Sequence, residues 1–304
     1  MGETNKFEVI IIGGSYAGLS AAMALGRSLR KVLVIDYGKP CNEQTPHSHN
    51  FLTNDGKTPQ EISLLSKQQV EKYDTIRLLD GLAIKGKKIQ NGFEITTNTD
   101  EVFQAKKLVF ATGVKDIKPE IGGFSDCWGI SVIHCPYCHG YEVRNKKTGI
   151  LGNGEYGFEF AKMITNWTKD LTLYTNGVST LTTEQSNLLE KHGVRINEAE
   201  IDKLQHKNGL LEKIIFKNGN TASASALYSK TPFVQNTCIP EDLGCQLTEE
   251  GYIDVDHFQK TTVDGIFACG DNTTFMRSVA NAVAAGNKVG AVVNKDMINE
   301  KFTI

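Results

Sequence analysis

No run of residues in this 304-residue chain is long and apolar enough to cross a bilayer. The best candidate, Val279 to Val293, is interrupted by Asn281, Asn287 and Lys288, so no membrane partner is expected. An excess of either charge is also missing. Lys and Arg total 33 against 35 Asp and Glu, a formal net charge of −2, which gives no reason to expect a nucleic acid or an anionic surface as partner. The N-terminal run Met1-Gly2-Glu3-Thr4-Asn5-Lys6 has neither the basic flank nor the small-residue cleavage site of an export signal, and the expected location is cytoplasmic. Seven cysteines is an odd number, and in a reducing compartment a persistent disulfide is more often catalytic than structural. Cys41, Cys127, Cys238, Cys245 and Cys269 stand singly. A zinc site would need a second Cys pair or a His pair at short spacing, and none follows.

What remains is Cys135-Pro136-Tyr137-Cys138, within the stretch Ile133 to Glu142. Two cysteines at this spacing can close a small disulfide ring, and one thiol of such a pair readily reacts as thiolate. The alternative, half of a zinc knuckle, lacks its other half, so a redox centre is expected and no metal site.

A chain of this length exceeds one ordinary core, so two domains are expected. Phe7 to Ile12 reads as a buried parallel strand ending at Gly13-Gly14, Ala17 to Leu29 as a helix, and Lys31 to Ile35 as a second strand ending in Asp36. The turn Gly13-Gly14-Ser15-Tyr16-Ala17-Gly18 resembles a dinucleotide fingerprint with Ser15 at its second glycine position. Asp36 lies where an acidic side chain accepts hydrogen bonds from a ribose. Such a fingerprint does not distinguish FAD from NAD. A second βαβ unit follows the Cys pair. Thr148 to Leu151 leads into Gly152-Asn153-Gly154-Glu155-Tyr156-Gly157, a complete GxGxxG, then a helix to Trp167 and a strand Leu171 to Tyr174. Its end, Thr175-Asn176-Gly177-Val178-Ser179, carries neither the acid of an NAD site nor the Arg of an NADP site, so a working nicotinamide site and an inherited scaffold both stay open.

Between these units, Pro46 to Leu52 reads as a loop. The spacing of His47 and His49, with no Cys or carboxylate cluster nearby, favours a place near a cofactor over a metal site. Thr58 to Tyr73 reads as an amphipathic surface helix. Of three Asn-Gly pairs, Asn91-Gly92 and Asn208-Gly209 are expected to turn hairpins, each in a different domain. Lys107 to Gly113 reads as a buried strand closing in a small-residue turn. Gly251 to Val255 and Val263 to Asp271 read as two more strands, and Ser278 onward as a helix of small residues. Asp271, at a strand end facing that helix, suits a ribityl hydroxyl, with a helix-capping role as the alternative.

In this order, a Gly-rich first turn with Asp36, a strand ending Ala111-Thr112-Gly113, CxxC just before a second GxGxxG, and a late Gly270-Asp271 closely resemble the low-molecular-weight thioredoxin reductase family over essentially the whole chain. The resemblance implies an α/β fold of two Rossmann-like, three-layer nucleotide-binding domains, the second inserted in the first. The FAD-binding domain would comprise 1–117 and 241–304, and the inserted NAD(P)-binding-like domain, carrying the CxxC, 118–240. It implies FAD contacts at Gly13, Ser15, Gly18, Asp36, Asn42, His49, Thr112, Gly113, Asp271, Val279 and Ala280. Gly152, Gly154 and Gly157 would meet a nicotinamide nucleotide such as NADPH, if one binds. A homodimer and a small dithiol or thioredoxin-like protein partner are implied as well.

Two departures stand out. His139 follows the second cysteine where the reductases carry an acid, and Thr175-Asn176-Gly177 stands where they carry a His-Arg-Arg run. Both resemble the branch of gliotoxin- and holomycin-type dithiol oxidases, which implies that dithiols are closed into disulfides and electrons pass through FAD to oxygen. By that analogy Cys138 faces the flavin, Cys135 forms the mixed disulfide and His139 serves as acid or base. An NADPH- or ferredoxin-dependent reductase is the rival reading, and a flavin-binding redox sensor without turnover a third.

Overall fold

The structure, a computed structural model, describes residues 5–302. Residues 1–4, on which the export-signal expectation partly rests, lie outside the described residues. The chain packs as two compact units. One comprises the chain to Glu43, Phe51–Lys115 and the chain from Phe233 onward; the other comprises Gln44–Asn50 and Asp116–Pro232.

The first unit opens with β1 (Lys6–Ile12), α1 (Tyr16–Arg27) and β2 (Val32–Asp36). β1 and β2 run parallel, with Val9 opposite Val32 and Ile12 opposite Ile35. Val9, Ile10 and Ile11 expose nothing, because a parallel strand covered on both faces tolerates no polar alternation. α2 (Pro59–Val70) starts at a capping box: the Thr58 side chain accepts from the Glu61 N–H and the Glu61 carboxylate accepts from the Thr58 N–H. β3 (Ile76–Asp80), β4 (Ala83–Ile89), β5 (Gly92–Thr97) and β6 (Val102–Phe110) complete the order β3-β2-β1-β6-β5-β4. β6 is parallel to β1 and antiparallel to β5, so the Asn91-Gly92 hairpin hangs on one side of a parallel core.

β7 (Val114–Asp116) carries the chain onward, followed by α3 (Phe124–Cys127), β8 (Val132–Ile133), α4 (Pro136–His139), β9 (Thr148–Leu151), α5 (Gly154–Ile164), β10 (Leu171–Tyr174), α6 (Thr183–Lys191) and β11 (Arg195–Asn197). Next come β12 (Ile201–Lys207), β13 (Leu210–Phe216), β14 (Thr221–Ser223) and β15 (Ala226–Ser229). The parallel sheet of this unit has the order β11-β10-β9-β15-β8, and β12-β13-β14 form a separate antiparallel sheet. Asn208 and Gly209 both take positive φ, 51° and 79°, as the tightest hairpin turn requires. Asn218-Gly219 also turns a hairpin, between β13 and β14.

The chain returns through β16 (Phe233–Gln235), which pairs with β7, then α7 (Ile239–Asp242), β17 (Ile266–Ala268) and α8 (Val279–Phe302). β17 lies parallel on β6. α8 meets α1 at backbone distance: a Cβ at Gly286 would stand 2.1 Å from the Ala17 carbonyl oxygen, so only glycine permits this approach. Lys107, buried on β6, lies 2.9 Å from Asp296 and also bonds Glu300, both on α8, while Lys260 reaches Asp296 at 2.6 Å.

Three expectations need correction. The return to the first unit lies at Phe233 rather than at 241, and Gln44–Asn50 packs with the second unit although it sits inside the first unit's sequence. Gly251 to Val255 is no strand; Ile253 and Val255 make only isolated bridges, and Tyr252 instead packs its ring on Phe233 at 4.6 Å. Among the described residues, no helix is long and apolar enough to cross a membrane and no cluster of His, Cys, Asp and Glu is placed to hold a metal.

Candidate active site

In the second unit, β8 ends two residues before Cys135, which is the N-cap of α4 with Pro136 at the first helical position. Cys135 and Cys138 thus lie one turn apart and half-buried. The Cys138 thiol donates to the Cys135 sulfur, and the backbone N–H groups of Cys138 and Tyr137 point the same way. Against the opposing effect of burial, these donors bring the Cys135 pKa from 9.0 down to about 7. The other cysteines differ. Burial pushes Cys127 and Cys245 up and drives Cys269 to about 12, and Asp242 beside Cys238 raises that thiol too.

His139 closes the same turn of helix. Burial holds its pKa below the usual imidazole value, with Glu142 opposing and His49 adding to the depression. The imidazole is therefore neutral at pH 7 and able to accept a proton. His49 Nε2 stands 3.6 Å from Glu142 Oε1. That contact corrects the placement of His49, which was expected on the FAD-binding domain. Thr45 and Ser48, both nearly inaccessible, anchor its segment to the second unit.

The first unit brings the other expected residues together around the first glycine turn. Gly13 takes φ 104°, and a Cβ there would lie 2.2 Å from the Ala111 oxygen; a Cβ on Gly18 would lie 1.8 Å from the Gly13 oxygen. Ser15 is the N-cap of α1, yet its hydroxyl makes no capping bond, and no acidic residue stands in the first turn. The Gly14 N–H donates to Asp36 Oδ1 at 3.0 Å, and Lys67 Nζ lies 3.3 Å from Asp36 Oδ2. Asn42 Nδ2 donates to the Tyr16 hydroxyl, 3.2 Å, while its Oδ1 is buried without a partner among the described residues. Thr112 and Gly113 follow β6, and Asp271 lies near Cys41 and Arg277, its Oδ2 3.5 Å from Arg277 Nε. Val279 and Ala280 form the first turn of α8. A helix start free of anions and orphaned acceptors beside it fit the pyrophosphate and the hydroxyl and N–H groups of FAD.

The second glycine turn has the same spacing and a different interior. Gly154 takes φ 55°, and a Cβ on Gly157 would come 3.0 Å from the Gly152 carbonyl carbon, so the turn is tight as the motif demands. Asn153, however, folds its side chain over the start of α5. Its Oδ1 accepts from the N–H groups of Gly154 (2.9 Å) and Thr180 (2.8 Å), and its Nδ2 donates to the Val178 carbonyl at 2.9 Å. Glu155 sits in the first turn of α5, and Glu198 accepts from the Ser179 N–H at 3.2 Å.

Sequence reasoning missed three residues here. Asn272 exposes nothing; its Nδ2 donates to the Phe110 carbonyl (3.0 Å) and Thr112 Oγ1 (3.2 Å), its Oδ1 has no partner among the described residues, and it directly follows the Gly270-Asp271 that drew attention. Glu142 stood inside the stretch around the Cys pair, without a partner to give it meaning. The hydroxyl of Tyr228 on β15 is buried with no partner among the described residues, and both Cys135 and Glu142 act on it.

Residues 7–286 match the pyridine nucleotide-disulphide oxidoreductase family. The chain is 31% identical to thioredoxin reductase tcpT of Claviceps purpurea, over 98% of this chain and 96% of that protein. An oxidoreductase from Agrobacterium tumefaciens is 36% identical, with a TM-score of 0.91 over 97% of this chain and 99% of that one. HlmI, 25% identical, superposes with a TM-score of 0.92 over 99% of this chain and 95% of its own. With two Rossmann-type units and a CxxC helix between β8 and β9, the chain belongs to the pyridine nucleotide-disulphide oxidoreductase family, as a thioredoxin-reductase-like enzyme.

Proposed function

We propose that the protein is an FAD-dependent dithiol oxidase, closing an external dithiol into a disulfide with oxygen as the final acceptor. The observation that carries this subtype is Asn153. It occupies N–H groups at the second glycine turn and, with Glu155 and Glu198 beside that turn, leaves a poor place for a nicotinamide nucleotide's phosphates. At the first turn no side chain caps α1 and no acid stands in its first helical turn, while Asp36, which accepts from the Gly14 N–H, lies where a ribose would bind; Gly13, Gly18, Asp36, Asn42 and Asn272 would hold FAD there. FAD, when bound, supplies the two-electron link by which oxygen restores the Cys135–Cys138 disulfide.

The chain's own residues do the rest. Neutral His139 takes the proton of an incoming thiol, and the resulting thiolate attacks the Cys135 sulfur, releasing Cys138 with the electron pair of the broken S–S bond. The substrate's second thiolate then attacks the substrate sulfur of the mixed disulfide. Cys135 leaves, and its low pKa makes it a good leaving group. The enzyme's disulfide has become two thiols, and the dithiol has lost two electrons and two protons. A small dithiol or a thioredoxin-like protein serves as substrate, and the active form is a homodimer.

The names of the relatives, which are thioredoxin reductases, favour a second reading, a disulfide reductase, for which NADPH or ferredoxin would be the electron donor. Anaerobic stopped-flow mixing separates the two. A small dithiol such as dithiothreitol should bleach the flavin faster than NADPH or NADH, with oxygen restoring the colour. Rapid bleaching by micromolar NADPH, with NADH inert, establishes the reductase instead.

A further inference from the structure

The scheme above uses Cys135 and Cys138 as a disulfide, yet the reduced pair has a chemistry of its own. We propose that the reduced pair is also a two-electron reductant of hydrogen peroxide and small alkyl hydroperoxides, with Cys135 taking the peroxide oxygen and Cys138 closing the disulfide. This activity goes beyond the oxidase reading and shares with it only the reduction of the pair by a dithiol.

A thiol that reduces peroxide must be reachable, must attack as thiolate and needs a second thiol at hand. The seven cysteines divide on these conditions. Cys127, Cys245 and Cys269 are buried and fail the first. Cys41 and Cys238 are exposed, but each directs its thiol at a carboxylate: Cys41 Sγ lies 3.9 Å from Asp271 Oδ2, and Cys238 Sγ lies 3.2 Å from Asp242 Oδ2. A carboxylate there opposes the thiolate. Cys135 and Cys138 are half-buried, and Cys138 follows Cys135 by three residues across the single turn of α4. The groups that face Cys135 are donors, the Cys138 thiol and the N–H groups of Cys138 and Tyr137, and they favour charge on its sulfur. The flanking rings are engaged with other partners: His134 stacks on Trp128 at 5.8 Å, and Tyr137 meets Trp167 edge-on at 5.6 Å. Half-burial of the pair admits a small hydroperoxide more readily than a bulky one.

Atoms and electrons balance in two steps. The Cys135 thiolate attacks one peroxide oxygen, and its sulfur pair forms the S–O bond of a sulfenic acid. The O–O pair leaves on the other oxygen, which takes up the proton that Cys135 gave to solvent on ionising and departs as water or an alcohol. Cys138 then attacks the Cys135 sulfur; the S–O pair leaves as hydroxide and becomes water with the Cys138 thiol proton. The pair has lost two electrons and the peroxide has gained them. Side chains three residues apart on a helical turn are neighbours, so this closure is intramolecular and outruns a second peroxide, which would carry the sulfur on to the sulfinic acid. Oxygen that accepts two electrons becomes hydrogen peroxide, so the two activities together would oxidise two dithiols per oxygen molecule and release water.

The test excludes oxygen, so that an oxidase has no acceptor. Flavin-loaded protein, excess dithiothreitol and hydrogen peroxide are mixed anaerobically, and the loss of peroxide is followed. Wild type should consume one peroxide per dithiothreitol oxidised, faster than dithiothreitol alone, and Cys135→Ala should fall to the rate of dithiothreitol alone. Reduced Cys138→Ser, freed of dithiothreitol and checked for its flavin, should accumulate a sulfenic acid on Cys135 that dimedone traps and mass spectrometry locates; further peroxide should carry it to the sulfinic acid. A wild type no faster than dithiothreitol, a Cys135→Ala variant as fast as wild type, or dimedone absent from Cys135 overturns the proposal. Peroxide consumption by a protein that takes up no oxygen with a dithiol in air refutes the oxidase reading alone. Oxygen uptake without peroxide consumption refutes this inference alone.

Discussion

The Cys135 thiolate allows the most exacting test, because its cause is visible and its effect reverses with pH. The donated thiol of Cys138 is the largest reason that Cys135 titrates near 7, and burial is the largest force against it. Replacing Cys138 with Ala in the reduced protein removes the first and keeps the second, so the Cys135 pKa should return to about 9 or above, a swing of about 2.7 kcal/mol. At pH 7 the thiolate fraction falls from about one half to about one hundredth, a roughly 50-fold loss. The more basic thiolate is intrinsically the better nucleophile, by about eightfold for a Brønsted slope near 0.45, so the net loss is about sixfold. Above pH 9.5 both proteins are largely ionised and the order inverts, with the variant faster by about sixfold. The assay is the pH–rate profile for exchange with an aromatic disulfide under anaerobic conditions, with Cys135→Ala subtracting the other thiols. The folded pKa lies below the ordinary value, so ionisation of Cys135 stabilises the reduced protein above about pH 9, a contribution lost as pH falls through about 7. A Cys138→Ala profile parallel to the wild type's at every pH would refute the assignment of the shift to Cys138.

Further outcomes follow from other residues. Gly18→Val drives a side chain into the Gly13 carbonyl, 1.8 Å from its first carbon, and should yield a colourless, less stable protein; absorbance near 450 nm per chain reports it. Lys107→Met leaves Glu300 and part of the Asp296 charge unpaired beside a buried position and should cost about 3 kcal/mol in urea unfolding. Asp296 has its pKa held below 3.8 by Lys260 and Lys107 against burial, so that ion group's stability is present above this value and lost as pH falls below it; the variant's acid transition should be shallower. Asn153→Gly removes the bonds to Thr180 and Val178 and should destabilise the protein by about 1–3 kcal/mol while tightening NADPH binding in calorimetry; unchanged binding separates Asn153 from nucleotide exclusion.

Local patterns made much of this fold legible. Both βαβ units could be read because β-branched runs, tight glycines and helical spacing lie close together in sequence, and the Asn-Gly turns announce their hairpins by needing positive φ. The segment 44–50 could not be placed, since its home depends on where Thr45 and Ser48 find cover, far along the chain. Gly251 to Val255 misled because its alternation serves packing of Tyr252 on Phe233 rather than a ladder. Asn272 and Glu142 were invisible for a related reason: a polar residue acquires meaning from its partners, and theirs are more than a hundred residues away at Phe110 and more than ninety away at His49.

The Asn153 side chain can also be described as a tethered competitor. A ligand held by its own backbone has an effective concentration in the millimolar range or above, whereas a dissolved nucleotide works at micromolar levels, so the tether wins by two or more powers of ten unless the solute brings contacts of its own. The familiar spacing of Gly152, Gly154 and Gly157 thus keeps its geometric purpose, drawing β9, α5 and β10 close. A single amide, bonded to Gly154, Val178 and Thr180, makes it self-satisfied. One side-chain substitution, with no change of backbone, would remove that competitor and leave Glu155 and Glu198 as the remaining difference from the first turn.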